Sequence, residues 1–239
     1  MKNYIELNGN NSNELTGLLI QSLPPISKPL MRTSVEEIDG RDGDIVTNLG
    51  YSAYDKELSI GLYGKYDVDD IIEYFVNNSK GQVTFSNEPD KYYNYEIINQ
   101  IDFERLIRFK TATVTLHCQP FKYSNVEGTK EFDITSETTI SISNNGNYIA
   151  KPIITIYGSG TINLSLNNEQ LFVIELGETA TQITIDTNLM DAYNNQTQTL
   201  MNRQVTGDYS NFKLNIGSNT ISWSGTITEI DIQNYSRWV

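Results

Sequence analysis

The sequence predicts a mainly-β protein of two domains, an α+β first half at 1–125 and a β-sandwich at 126–239. Three observations point there. Beyond residue 123 short alternating apolar runs recur with turn residues between them, which is the pattern of half-buried antiparallel strands. The first half holds one strongly amphipathic helix among strand-like runs. The chain of 239 residues, 38% hydrophobic and 20% charged, has apolar side chains enough for two cores of ordinary domain size.

In the first half the helix is expected over 66–76. Val68, Ile71, Ile72, Phe75 and Val76 recur at helical spacing and make one apolar face. Asp67 can cap the first amides, while Asp69, Asp70 and Glu73 lie near the positive end of the dipole. Lys80 and Gly81 are the expected stop. Strands are expected at about 57–63, 82–86, 92–100 and 108–118, giving one helix over a sheet. Polar residues 123–131 are the expected boundary. In the second half strands are expected at 138–143, 152–157, 161–166, 170–175, 182–187, 212–216, 219–224 and 226–232, with turns at Asn145-Gly146, Gly158-Ser159-Gly160 and Asn167-Asn168.

Composition narrows the function. One cysteine, Cys118, permits no internal disulfide and too few thiolates for a structural zinc site; one histidine, His117, leaves little for a histidine-based centre. No metal, cofactor or catalytic set is expected, and the chain reads as a non-enzyme. The net charge is −13, and both halves share it: residues through 122 hold 12 Lys and Arg against 18 Asp and Glu, and the rest hold 5 against 12. Proteins that grip nucleic acid neutralise phosphates with cations, so DNA binding is disfavoured. No apolar run approaches the length of a membrane helix and the N-terminus lacks an apolar signal core, so the expected chain is soluble, made in a cytoplasm and not in a membrane.

Each candidate chemistry has a plainer reading. In Thr113-Val114-Thr115-Leu116-His117-Cys118, strand alternation sends Cys118 and His117 to opposite faces, so they cannot share a proton and Cys118 reads as a core thiol. The loop 36–44 gathers Glu36, Glu37, Asp39, Asp42 and Asp44 but fails the EF-hand spacing; tight turns with Arg41 as internal partner explain the same residues. No nucleophile elbow, phosphate loop or zinc-helix motif is present. Tyr92, Tyr93, Tyr95, Trp223 and Trp238 could stack on a sugar, although such side chains more often sit in cores or interfaces. A carbohydrate-binding, lectin-like adhesion module is therefore the alternative function, and a cell-wall hydrolase the weakest.

Taken together, several segments resemble one family. VEEIDGRDGDIVTNLGYSAYDKELSIGL at 35–62, with the turn Gly40-Arg41-Asp42-Gly43, is similar to the N-terminal signature of the distal tail protein family of long-tailed bacteriophages of Gram-positive hosts. Asp39 stands where that family usually has proline. TVTLHCQPFKY at 113–123 resembles the family's strand ending in Cys118, Pro120, Phe121 and Tyr123. NNGNYIAKPIITIYGSGTINLSL at 144–166, QITIDT at 182–187 with Asp186, LNIGSNTIS at 214–222 and Trp238 continue the likeness in order. The resemblance implies a ring-forming first domain and a galectin-like second one. It implies a hexamer in the virion tail tip or baseplate, between the tail tube protein and the tail-associated hub protein, docking receptor-binding proteins while DNA passes through the lumen. Nothing in the sequence assigns the ring interface.

Overall fold

The computed structural model describes residues 2–179 and 181–239. They form two compact units, one running through Asn125 and the other spanning Val126–Trp238.

In chain order unit one comprises β1 (Ile5–Leu7), β2 (Asn10–Asn11), β3 (Leu18–Ser22), β4 (Met31–Glu37), β5 (Asp44–Tyr51), β6 (Tyr54–Leu62), α1 (Val68–Asn77), β7 (Lys80–Phe85), β8 (Lys91–Ile97), α2 (Phe103–Phe109) and β9 (Thr111–Ser124). Seven strands make an antiparallel sheet in the order β2-β1-β7-β8-β9-β6-β3, while β4 and β5 pair only with each other. One apolar cluster joins the sheet to both helices through Ile71, Tyr74 and Phe75 of α1 and Leu106 of α2. Burial of each such side chain stabilises by about 2 kcal/mol.

The Asp67 carboxylate accepts from the amide of Asp69 at 2.9 Å, so α1 starts where its cap requires. Its inward face differs by one position from the expected one: Tyr74 is buried and Val76 is exposed. The helix ends at Asn78, whose side-chain amide donates to the carbonyl of Tyr74 at 2.8 Å. Lys80 and Gly81, expected as its stop, instead open β7.

Unit two comprises β10 (Lys130–Asp133), β11 (Thr139–Asn144), β12 (Ile153–Leu166), β13 (Glu169–Glu175), β14 (Thr181–Asp186), β15 (Asp191–Asn194), β16 (Thr199–Leu200), β17 (Val205–Gly207) and β18 (Gly217–Gln233). Two long strands organise it. The first part of β12 pairs with β14 and the end of β18; its last part pairs with β13 and the start of β18. Thus β12 and β18 pass together from one set of strands (β10, β14, β15, β16) to a second (β11, β13, β17). Apolar residues of both sets, including Ile156, Ile185 and Ile230 from the first and Ile142, Phe172 and Trp223 from the second, share one core. Strands that change layer through a bulge or bend are a recognised way to build a β-sandwich corner.

One expected turn is not a turn, and another is not a hairpin. Gly158-Ser159-Gly160 lies inside β12 at a break in register with β18, and Gly225 lies opposite it inside β18. A Cβ on Gly158 would meet the Thr226 carbonyl oxygen at 2.3 Å, and one on Gly225 the Thr161 carbonyl oxygen at 2.3 Å. Glycine is needed there because two backbones pass closely. Asn145-Gly146 joins two strands that do not pair with each other, since β11 pairs with β18. Asn167 and Asn168, by contrast, form the expected two-residue hairpin turn, both left-handed at φ +52° and +71°. The expected strand 212–216 is reduced to a single bridge between Leu214 and Ala150.

Candidate functional site

The histidine–cysteine neighbours divide as alternation requires. His117 sits opposite Asp55 on β6, with Nδ1 and the Asp55 carboxylate 2.7 Å apart. Cys118 is buried in the core, and that burial pushes its thiol up to about 12, with Lys56 opposing and Asp55 adding to the rise. The nucleophilic thiolate form is suppressed at neutral pH.

The densest set of titratable groups was not singled out by sequence reasoning. Lys56, 3% exposed, donates from Nζ to the Pro25 carbonyl at 3.1 Å and lies over the rings of Tyr54 and Tyr93 at 5.0 and 4.8 Å. Nearby, Lys122 Nζ pairs with Glu88 Oε1 at 2.8 Å, and the Tyr93 hydroxyl donates to Glu88 Oε2 at 3.2 Å. Burial lowers the Lys56 ammonium and raises the Tyr93 phenol far above its ordinary value. Hydrogen bonds tie β8 and β9 to the turn at Glu88 and β6 to the segment at Pro25, which is a structural use of buried charge. One signal was available: Lys56 occupies the same alternating face as the buried Leu58 and Ile60.

The acidic loop is the tip of the β4–β5 hairpin. Gly40 and Gly43 take φ of +82° and +78°, and the Arg41 amide donates to the Ile38 carbonyl at 3.1 Å. Among the described residues Arg41 makes no ion pair, so the expected internal partner is replaced by backbone turn geometry. Among the described residues no group of three or more His, Cys, Asp or Glu side chains could hold a metal ion.

The remaining resemblance residues serve different local tasks. Pro120 is buried where β8 and β9 lose register between Tyr93 and Tyr95, a site at which a missing N–H does no harm. Phe121 meets Tyr51, the last residue of β5, edge to face at 5.9 Å, so β9 supports the base of the hairpin. Asp186 closes the end of β14, its Oδ1 accepting from the amides of Asn188 and Leu189, each at 2.9 Å. Within unit one Pro120 and Phe121 make separate local contacts, and Asp186 acts within unit two.

The aromatic candidates for sugar stacking are mostly inside: Tyr93 and Tyr95 are buried, Trp223 is only 7% exposed, and Tyr92 stacks on Tyr123 at 5.6 Å. A shallow groove of about 390 Å³ in unit two is lined by Asn163, Ser165, Gln170, Ser222 and Trp223 among others. Its amides bond to one another and to a neighbouring hydroxyl, Gln170 to Asn163 at 3.3 Å and Asn163 to Ser224 at 3.0 Å. With Trp223 only 7% exposed, the groove offers little aromatic surface for stacking.

What this geometry offers is surface. The β4–β5 hairpin exposes Val35, Ile38, Val46 and Leu49, and the end strands β2 and β3 of the seven-stranded sheet present open edges within that sheet.

Residues 11–118 match the phage tail protein RIFT-related domain family. Over 100% of both chains the fold is similar to that of the Dit protein of phage SPP1, described as a paradigm of the hub adsorption apparatus of phages infecting Gram-positive hosts, with 16% identity and a TM-score of 0.65. A chain of the phage P2 baseplate in its calcium-activated conformation is similar at 10% identity and a TM-score of 0.55, covering 100% of this chain and 98% of that one. The strontium-activated form of the phage p2 baseplate gives 9% and 0.54, covering 97% of each. No curated protein sequence matches. The resemblance to the distal tail family read from the sequence is borne out, as is the mainly-β fold.

Proposed function

We propose that this chain, whose residues 11–118 match the phage tail protein RIFT-related domain family, has a structural role at a phage tail or baseplate and is the hub ring of the tail tip. Six copies join the tail tube to the tail-associated hub protein, unit one forms the ring, and unit two, a galectin-like sandwich, docks receptor-binding proteins at the periphery. The observation that carries this reading is the end-to-end likeness in fold to a tail hub protein, through both units of the chain. The absence of enzymatic chemistry belongs to the same proposal, and the buried thiol and internally bonded lysines support it.

Ring assembly needs heterologous contacts that close. The charge of the chain suits a ring that DNA must traverse: six copies at −13 carry −78, and an acidic lumen would repel phosphates and let DNA slide. The domain limits 1–125 and 126–239 are part of the proposal. Gold-labelled antibody against this chain, applied to purified virions, is expected to decorate the tail tip. Particles that lack the polypeptide, or label confined to the head, would overturn it.

A further inference from the structure

Two patches of unit one are complementary in both apolar character and charge. The first is the β4–β5 hairpin. Val35 and Val46 face each other across its strands, 55% and 58% exposed, and a two-stranded sheet with so little cover is marginal in water by itself. The pair beyond them on the same face is Glu37 opposite Asp44. Like charges directly opposed are unfavourable, and a cation set against them relieves the cost. Residues 36–44 hold five carboxylates and one arginine in all.

The second patch is α2 with its flanks. Phe109 is 71% exposed. An open groove of about 460 Å³ runs along Asp102, Glu104, Arg105, Arg108 and Phe109. Both carboxylates there are already engaged: Asp102 caps the helix through the Arg105 amide at 2.8 Å, and Glu104 pairs with Arg108 at 2.6 Å. The Arg105 guanidinium makes no ion pair among the described residues, and Lys110 donates to the Tyr66 hydroxyl at 2.5 Å rather than to a carboxylate. In a chain of net charge −13, this is a local cationic and apolar surface.

We infer that the hairpin of one copy docks on the α2 groove of a second copy, with Val35 and Val46 covering Phe109 while Glu37 and Asp44 meet Arg105 and Arg108. The two patches differ, so the contact is head-to-tail, and its repetition closes a ring or extends as a filament. The inference deepens the ring reading above and rests on it for closure.

The test uses the full chain in analytical ultracentrifugation, with Arg105→Glu plus Arg108→Glu, with Glu37→Lys plus Asp44→Lys, and with all four. Each double variant is expected to weaken self-association about tenfold or more, and the fourfold charge swap to recover it to within about threefold. Separately, Val46→Cys and Phe109→Cys chains are mixed under oxidising conditions. The native cysteine is buried, so a mixed disulfide dimer reports this contact even if a charge variant folds poorly. Wild-type assembly that survives both double variants, or forms without the mixed disulfide, overturns this contact and leaves the ring standing. A wild-type chain that stays monomeric both alone and with isolated tail tubes overturns the contact and the ring together.

Discussion

Cys118 contributes to stability rather than to chemistry. Burial holds its thiol protonated, raising it from 9.0 to about 12, and Tyr74 and Tyr95 are raised above 10.0 for the same reason. A group whose folded value is raised supports the folded state fully below its unfolded value and loses that support as pH climbs toward the folded one. Stability is therefore expected to fall between about pH 9 and 12. Cys118→Ala should remove up to one proton from that slope, about 1.4 kcal/mol per pH unit, in urea unfolding followed against pH. An unchanged slope would contradict the assignment. Lys56 acts in the opposite sense: its value is lowered by burial, so its contribution grows as pH rises toward 10.5.

Asp231 is the carboxylate that unit two holds at a cost. Burial raises it first, then the neighbouring charges of Glu229 and Glu131, and Glu131 lies directly opposite it across β10 and β18. A raised carboxylate favours folding below 3.8 and loses that contribution as pH rises through its folded value. Asp231→Asn should accordingly raise the melting temperature at pH 7, with the gain disappearing below pH 3.8. A loss of stability at pH 7 in calorimetry would show that the carboxylate has a partner it needs.

Among the elements, those with a clean period and a good cap were legible. Helix α1 was readable because Asp67 and a continuous apolar face both mark it, and the Asn167-Asn168 turn because only asparagine or glycine tolerates two left-handed residues so readily. Helix α2 was not readable: of its seven residues only Leu106 is buried, and one buried side chain has no period. The β4–β5 hairpin escaped because its apolar residues face outward, so alternation between core and solvent never develops. Glycines at 158–160 were misread as a turn because a close crossing of backbones and a chain reversal call for the same residue. The two roles can be told apart by substitution. Gly225→Ala puts a Cβ 2.3 Å from the Thr161 carbonyl oxygen at φ +104° and should cost about 2–4 kcal/mol. Gly160→Ala, where nothing lies within 4 Å, should cost only the backbone term of about 1 kcal/mol. Equal losses in thermal unfolding would argue against the crossing.

For the whole molecule, the residues that resemblance singles out act separately. Gly40 and Gly43 shape a hairpin tip, Pro120 and Phe121 set β9 and the hairpin base, Cys118 fills the core of unit one, and Asp186 closes a strand in unit two. Such a distribution fits a protein used for its shape and surfaces, since catalysis requires groups converging on one point. It also explains why the candidate site was only partly legible. Core positions announce themselves by alternation, whereas an assembly surface is assigned by what covers it, and the covering partner is not written in the chain's own periodicity. Rotational analysis of averaged electron-microscopy images of purified tail tips, with this chain labelled, counts the copies around the tail axis. A sixfold ring is expected at the distal end of the tail tube, six copies at 27.1 kDa each giving about 163 kDa. A labelled chain found as isolated monomers on peripheral fibres would contradict it.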